Sequence, residues 1–252
     1  MTPWAALAIF SAGLAAGTIN AIVGSGSLIT FPTLLALGYP PVLANVSNNV
    51  GLVPGSASGA VAYRRELEGQ RPRLVKLGAA SLTGGITGAV LLLALPSSVF
   101  KAAIPALVLV ATVLMAVQPR VSAWLAARGE RHVHGGAPLL VGVFLTGIYG
   151  GYFGAAQGVI LISLLAIFID DDLQRLNGTK NVLALVVNGV AAVTFILFTT
   201  VTWSVVALIA AGSTIGGQLG GIYGRRLPAD ILRVCIVVVG LGVAVVLFVA
   251  WH

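Results

Sequence analysis

The chain has 252 residues, of which 58% are hydrophobic and only 8% charged, with a mean hydropathy of +1.03 and a formal net charge of +7. A water-soluble domain carries about 25% charged residues, so this composition excludes a water-exposed surface and makes the bilayer the solvent. The cations sit in connectors with no aromatic-interleaved basic face, which argues against nucleic acid and for control of topology.

Residues 1–4 lack the basic start of a secretory signal, and the apolar, small-residue run 5–17 reads as the first span rather than as a signal core. Breaks at Gly, Pro and charge clusters then divide the chain into about ten apolar segments, 4–23, 25–38, 42–62, 75–95, 100–117, 138–156, 158–169, 178–200, 203–224 and 230–250. Segments 25–38 and 158–169 are too short for a comfortable crossing and are half-helices, re-entrant elements or thin spans. The expected fold is therefore an all-α polytopic bundle. If all ten segments cross, one side receives every Lys and Arg except Lys101. The positive-inside rule makes that side cytoplasmic, puts both termini outside, and places Trp4, Trp203 and Trp251 at the outer interface of a cell (inner or plasma) membrane. Cys235, the single cysteine, lies in an apolar run and supports neither a disulfide framework nor a thiolate metal cluster.

The two halves repeat. Gly17-Thr-Ile-Asn-Ala-Ile-Val-Gly24 matches Gly147-Ile-Tyr-Gly-Gly-Tyr-Phe-Gly154, and each is followed by a small polar stretch and a short apolar segment. Further on, Asn45, Ser47, Asn48 and Asn49 align with Asn177, Thr179, Lys180 and Asn181. An odd number of spans per half inverts the second copy, a recurrent build of secondary transporters. The organisation expected is a first transmembrane repeat over 1–117, a basic cytoplasmic linker over 118–136, and an inverted repeat over 137–252. His132 and His134 in that linker are read as solvated rather than metal-binding, and the sequons at Asn45 and Asn177 carry little weight at helix starts.

Every carboxylate falls in or beside a predicted cytoplasmic connector, which removes the usual intramembrane proton or sodium relay and makes an anion the easier passenger. Helix N-termini stabilise anions through unpaired N–H groups and the dipole. The short segments open on Gly24-Ser25-Gly26-Ser27 and Gly154-Ala155-Ala156-Gln157-Gly158; if these starts meet near the midplane, two positive ends face one cavity. Ser25, Ser27, Gln157 and Asn20 would add hydrogen bonds, and the small residues Gly26 and Gly158 would allow backbone approach; close helix packing is the competing reading. Asn45 and Asn177 can be caps and Lys180 can snorkel. Asn49, Asn181 and Asn188 lie further in, where a cavity and interhelical hydrogen bonding are the alternatives. The stripes at 84–88 and 216–224 read as helix packing, within the bundle or between protomers. No cofactor is implied, and an enzyme lacks the intramembrane acid, base or metal constellation it would need.

These motifs, in this order and duplicated, resemble the sulfite exporter TauE/SafE family of membrane permeases over nearly the whole chain. The resemblance rests on Gly24-Ser-Gly-Ser-Leu-Ile-Thr-Phe-Pro32, the Ser47-Asn48 pair with Gly55-Ser56 downstream, Gly154-Ala-Ala-Gln-Gly158, and Thr179-Lys180 followed by Asn188. It implies transport of a small sulfur-containing anion such as sulfite or an organosulfonate, an inverted-repeat bundle, and a homodimer as one assembly it allows. It adds Ser56 to the candidate substrate-binding set of Asn20, Ser25, Gly26, Ser27, Ser47, Asn48, Asn49, Gln157, Gly158, Thr179, Lys180, Asn181 and Asn188. The family pattern leads one to expect a lysine where this chain has Asn49, so the positive charge rests on Lys180. Alternating access would come from one repeat rocking against the other; a passive anion channel is the alternative.

Overall fold

In the computed structural model the described residues are 1–126, 136–223 and the isolated positions 234, 237, 238, 241, 242 and 245. Apart from those six positions, the expected tenth segment, with Cys235, lies outside them, as do Trp251, His132 and His134. Among the described residues there are nine helices and no strand: α1 (Pro3–Ile22), α2 (Ser27–Ala36), α3 (Pro41–Ala62), α4 (Arg71–Ala94), α5 (Ser97–Ala126), α6 (Gly136–Tyr152), α7 (Gln157–Phe168), α8 (Leu173–Phe198) and α9 (Trp203–Tyr223). Five contain stretches long and apolar enough to cross a membrane: α1, α4, α5, α8 and α9.

The polarity is turned inside out, as lipid demands. Leu82, Ile86, Val90, Val141, Leu145 and Val193 are exposed, while Asn45, Asn48, Asn181, Asn188 and Lys180 are buried. The helix boundaries that differ most from expectation are the end of α5 and the start of α8. α5 continues to Ala126, so part of the expected linker is helical. α8 starts five residues early, because the Asp172 side chain accepts a hydrogen bond from the Gln174 N–H and caps it there. Asn177 is thus one turn inside α8, and Asn45 likewise lies inside α3; neither is a cap.

Glycines set the packing directions. Gly13 backs onto Ile209 and Gly17 onto Ser213, while Gly220 meets Thr18 and Ala21, so α1 and α9 run parallel at backbone contact. Gly51, Gly55 and Gly217 bring α3 alongside α9 in the same direction, and Gly84, Gly88, Gly147 and Gly151 weld α4 to α6. α3 and α8 are antiparallel, since Ser47 bonds the Thr202 N–H and Asn177 bonds Tyr63. Hence α1, α3 and α9 point one way and α4, α6 and α8 the other. Trp4 and Trp203, both exposed, share one end of the bundle.

α2 starts beside the Ala16 carbonyl, well before the end of α1, and its ten residues cover roughly 15 Å, about half a hydrocarbon core. At the end opposite the tryptophans, Arg73 and Arg175 both pair with Asp171, at 2.7 and 2.9 Å. The connectors expected to share a side therefore touch. Burial alone would raise the Asp171 carboxyl; hydrogen bonds from Arg73 and the Asp172 N–H, with the charges of Arg175 and Arg73, outweigh it and hold the group below its ordinary value.

Candidate functional site

The two glycine turns are built alike. After α1, the N–H groups of Val23 and Gly24 both reach the Ile19 carbonyl; after α6, those of Phe153 and Gly154 both reach Tyr149. Gly24 and Gly154 take φ of +89° and +80°, the left-handed conformation that suits glycine at a helix C-terminus. The paired positions are those the sequence comparison aligned.

The turns converge. Gly158 donates its N–H to the Gly24 carbonyl at 3.0 Å, and no room is left for a Cβ at either position. This contact is direct. Several other N–H groups of the two helix starts are also engaged: Val159 and Ile160 bond Ala156, Ile29 and Thr30 bond Gly26, and the Gly26 N–H faces the Asn20 Oδ1 at 3.5 Å.

Each first helix ends inside the bundle, where its last carbonyls need donors. Helices of the opposite half supply them. Lys180 on α8, 1% exposed, directs its ammonium at the carbonyls of Asn20, Ala21 and Ile22 at 3.2, 3.1 and 3.4 Å. Asn181 adds a bond to Ala21 at 3.2 Å, and Asn45 on α3 serves the Tyr152 carbonyl at the end of α6 at 3.0 Å. Lys180 therefore does not snorkel. It places a cation against the negative end of a helix dipole.

Between the turns lies a neutral cluster. The Asn188 Oδ1 accepts from Asn49 and from Gln157, each at 3.4 Å, and its amide N–H donates to Ser56 at 3.2 Å. Ser56 and Asn188 are 132 residues apart, the offset that aligns Asn45 with Asn177. The side-chain oxygens of Asn49 and Gln157 are buried without a hydrogen-bond partner. Asn48 donates to Ser27 nearby in sequence terms on α2, at 3.3 Å.

Most of the expected set is thus brought together: Asn20, Gly26, Gly158, Lys180 and Asn181 around the turns, Asn49, Ser56, Gln157 and Asn188 in the cluster, and Asn48 with Ser27. Ser25 instead turns to Met115 of α5. Ser47 and Thr179 lie toward opposite ends of the bundle, on Thr202 and on Gln70. Sequence reasoning missed Gln70 and Tyr63, which bind Thr179 and Asn177 from the basic connector and its approach. A buried glutamine beside four cations left no signal in one sequence.

No solved structure matches the chain. Probable membrane transporter proteins are similar along its length. One of Sinorhizobium is 26% identical over 241 residues, 94% of this chain and 90% of that one; one of Haemophilus influenzae is 26% identical over 230 residues, 91% and 89%. A third, of Escherichia coli, is 24% identical over 232 residues, 92% and 85%. The model of the sulfite exporter TauE/SafE family matches residues 9–247. With the inside-out helical bundle, that match settles the family: the chain belongs to the sulfite exporter TauE/SafE family of membrane transporters.

Proposed function

We propose that this protein is a secondary transporter that moves a small sulfur-containing anion, such as sulfite or a short organosulfonate, across the cell membrane by alternating access. One observation carries the reading: among the described residues the buried polar set contains a single charged side chain, the cation Lys180, and otherwise only neutral hydrogen-bonding groups. A buried carboxylate would favour a cation; a buried ammonium among amides and hydroxyls favours an anion. The substrate site of this reading is the midplane region where α2 and α7 start, with Asn49, Ser56, Gln157 and Asn188 as hydrogen-bonding groups and Lys180 as the source of positive potential. The present conformation is closed, since Gly158 occupies Gly24 directly. The anion enters when these turns part and their N–H groups become free to bind it.

The shared turn geometry, the crossed capping of α1 and α6, and the Ser56–Asn188 bond between equivalent positions all support two inverted copies about a central pseudo-axis. The excess of Lys and Arg at the Asp171 end supports a cytoplasmic placement of that end. The test is flux of labelled sulfite and short sulfonates into proteoliposomes. Saturable, gradient-dependent uptake is expected. A correctly folded protein that moves none of these anions removes the substrate class, and non-saturating flux at conductance rates assigns a passive anion channel instead.

A further inference from the structure

The packing of the helices does not follow the two halves of the chain. α1 lies on α9 and α6 lies on α4, so the first helix of each half is welded to the fourth helix of the other. α3 also packs along α9, and α8 along α4. The half-helices take sides accordingly: α2 rests on α1 and α3, while α7 rests on α6 and α8; α5 lies against α7 and also touches α2 and α3, so it belongs to neither set. Two crossed sets result, one of α1, α2, α3 and α9, the other of α4, α6, α7 and α8.

The contacts within a set and between sets differ in kind. Inside each set the helices meet at glycine backbones: Gly17 on Ser213, Gly216 on Leu14 and Gly217 on Gly55 in the first, Gly88 on Ile148 and Gly151 on Gly85 in the second. Such interfaces are interlocked over several turns and do not slide without overlap. Between the sets, α3 faces α8, where hydrogen bonds tie Tyr63 with Asn177 and Ser56 and Asn49 with Asn188, and apolar side chains of both sets share one core, with Phe31 edge-on to Phe153. Point contacts join them at the turns, through Gly24 with Gly158 and through Lys180 at the end of α1. Hydrogen bonds of this kind can exchange partners, with water as substitute, at little net cost. The chain crosses from one set to the other through the turn at 63–70 and through the extended residues 199–202, one at each end of the bundle.

We infer that the moving bodies of this transporter are these two crossed sets, not the two halves of the sequence, and that the polar α3–α8 seam is the surface on which they shift. The inference rests on the alternating-access reading above. A rocking of half against half would tear α1 from α9 and α6 from α4, which meet backbone to backbone at glycines over several turns. A shift along the seam breaks side-chain hydrogen bonds and the single Gly158 to Gly24 bond and slides apolar side chains such as Phe31 past Phe153, but it parts no glycine-backed helix pair, and it opens the region where the two helix starts meet.

Three exposed positions separate the alternatives: Leu7 on α1, Ile86 on α4 and Leu145 on α6. Nitroxides are attached in pairs through Leu7→Cys, Ile86→Cys and Leu145→Cys in a Cys235→Ser background, and pulsed electron–electron distances are measured in nanodiscs with and without sodium sulfite. Leu7 and Ile86 share a chain half but not a set; Ile86 and Leu145 share a set but not a half. The expected result is a shift of several ångströms for the first pair and none for the second. The opposite pattern overturns the inference while leaving alternating access standing, and two static pairs in protein that carries sulfite sink alternating access together with it. A second readout uses Ser58→Cys with Gln218→Cys, whose native side chains touch at 3.2 Å across α3 and α9. Oxidising this pair joins the halves within one set, so sulfite flux should stay within twofold of the reduced protein; flux lost on oxidation and restored by reductant overturns the inference.

Discussion

Replacing Lys180 by Met tests what the buried ammonium does. The side chain spans from α8 to the end of α1 and serves three carbonyls, of which Ala21 keeps a second donor in Asn181 while Asn20 and Ile22 lose theirs. Two charge-assisted bonds at about 1.5–3 kcal/mol each set the gross loss. Met occupies the stem of the lysine and removes the desolvation cost of the charge, which offsets part of that loss. The net expectation is about 2–4 kcal/mol of destabilisation, seen as a melting temperature lower by roughly 5–15 °C in detergent at the few degrees per kcal/mol usual for a chain of this size. Because Lys180 and Asn181 share the Ala21 carbonyl, the double change Lys180→Met with Asn181→Ala should cost more than the two single changes together. Tryptophan fluorescence on heating measures both. A Lys180→Met protein that melts with the wild type but loses tenfold or more in sulfite affinity refutes the reasoning, and makes the ammonium a ligand of the solute rather than the anchor of α1.

Gly158→Ala pushes a Cβ into Gly24 and should cost about 1–3 kcal/mol as overpacking, whereas Gly189→Ala, with nothing within 4 Å, should gain roughly 0.5–1 kcal/mol of helix stability; melting curves of the two variants should move in opposite directions. Asn188→Leu leaves the amides of Asn49 and Gln157 and the hydroxyl of Ser56 without their shared partner, for a gross loss of about 3–9 kcal/mol at 1–3 kcal/mol per stranded group; under the proposed function sulfite uptake falls below detection even at temperatures where the protein stays folded. The Asp171 carboxyl, held below its ordinary value of 3.8, contributes stability that is fully present above that value and disappears as pH falls through the lower folded one. The melting difference between wild type and Asp171→Asn should therefore be constant from about pH 8 to pH 5 and shrink only below about pH 4; a difference already gone at pH 5 would mean that Arg73 and Arg175 do not hold the carboxylate.

What a single sequence revealed was local. Gly24 and Gly154 marked the ends of α1 and α6 because a positive φ is a backbone requirement that glycine meets, and ten apolar residues after Gly26 cannot span a bilayer whatever surrounds them. The start of α8 was misplaced because Asn177-Gly178 has the composition of a turn. Inside the bundle, the Asp172 cap begins the helix earlier and Gly178 serves as a slot for Leu67 and Tyr63. The partners of Lys180 were beyond reach for a different reason: the carbonyls it caps are about 160 residues away, and a carbonyl has no residue identity to read.

The glycine stripes at 84–88 and 216–224 show where that limit lies. Their spacing announces close helix approach, and both stripes do meet helix backbone: Gly84 and Gly88 on α6, Gly216 and Gly220 on α1. The partner is what spacing leaves out, because any helix surface with a matching shallow side will fit. Here each stripe faces the other half of the chain, α4 on α6 and α9 on α1, so the tightest joints cross between the halves. Each half's first helix therefore has its side packed, and its carbonyl end capped, by helices of the other half, and the chain halves could not separate as bodies without exposing both.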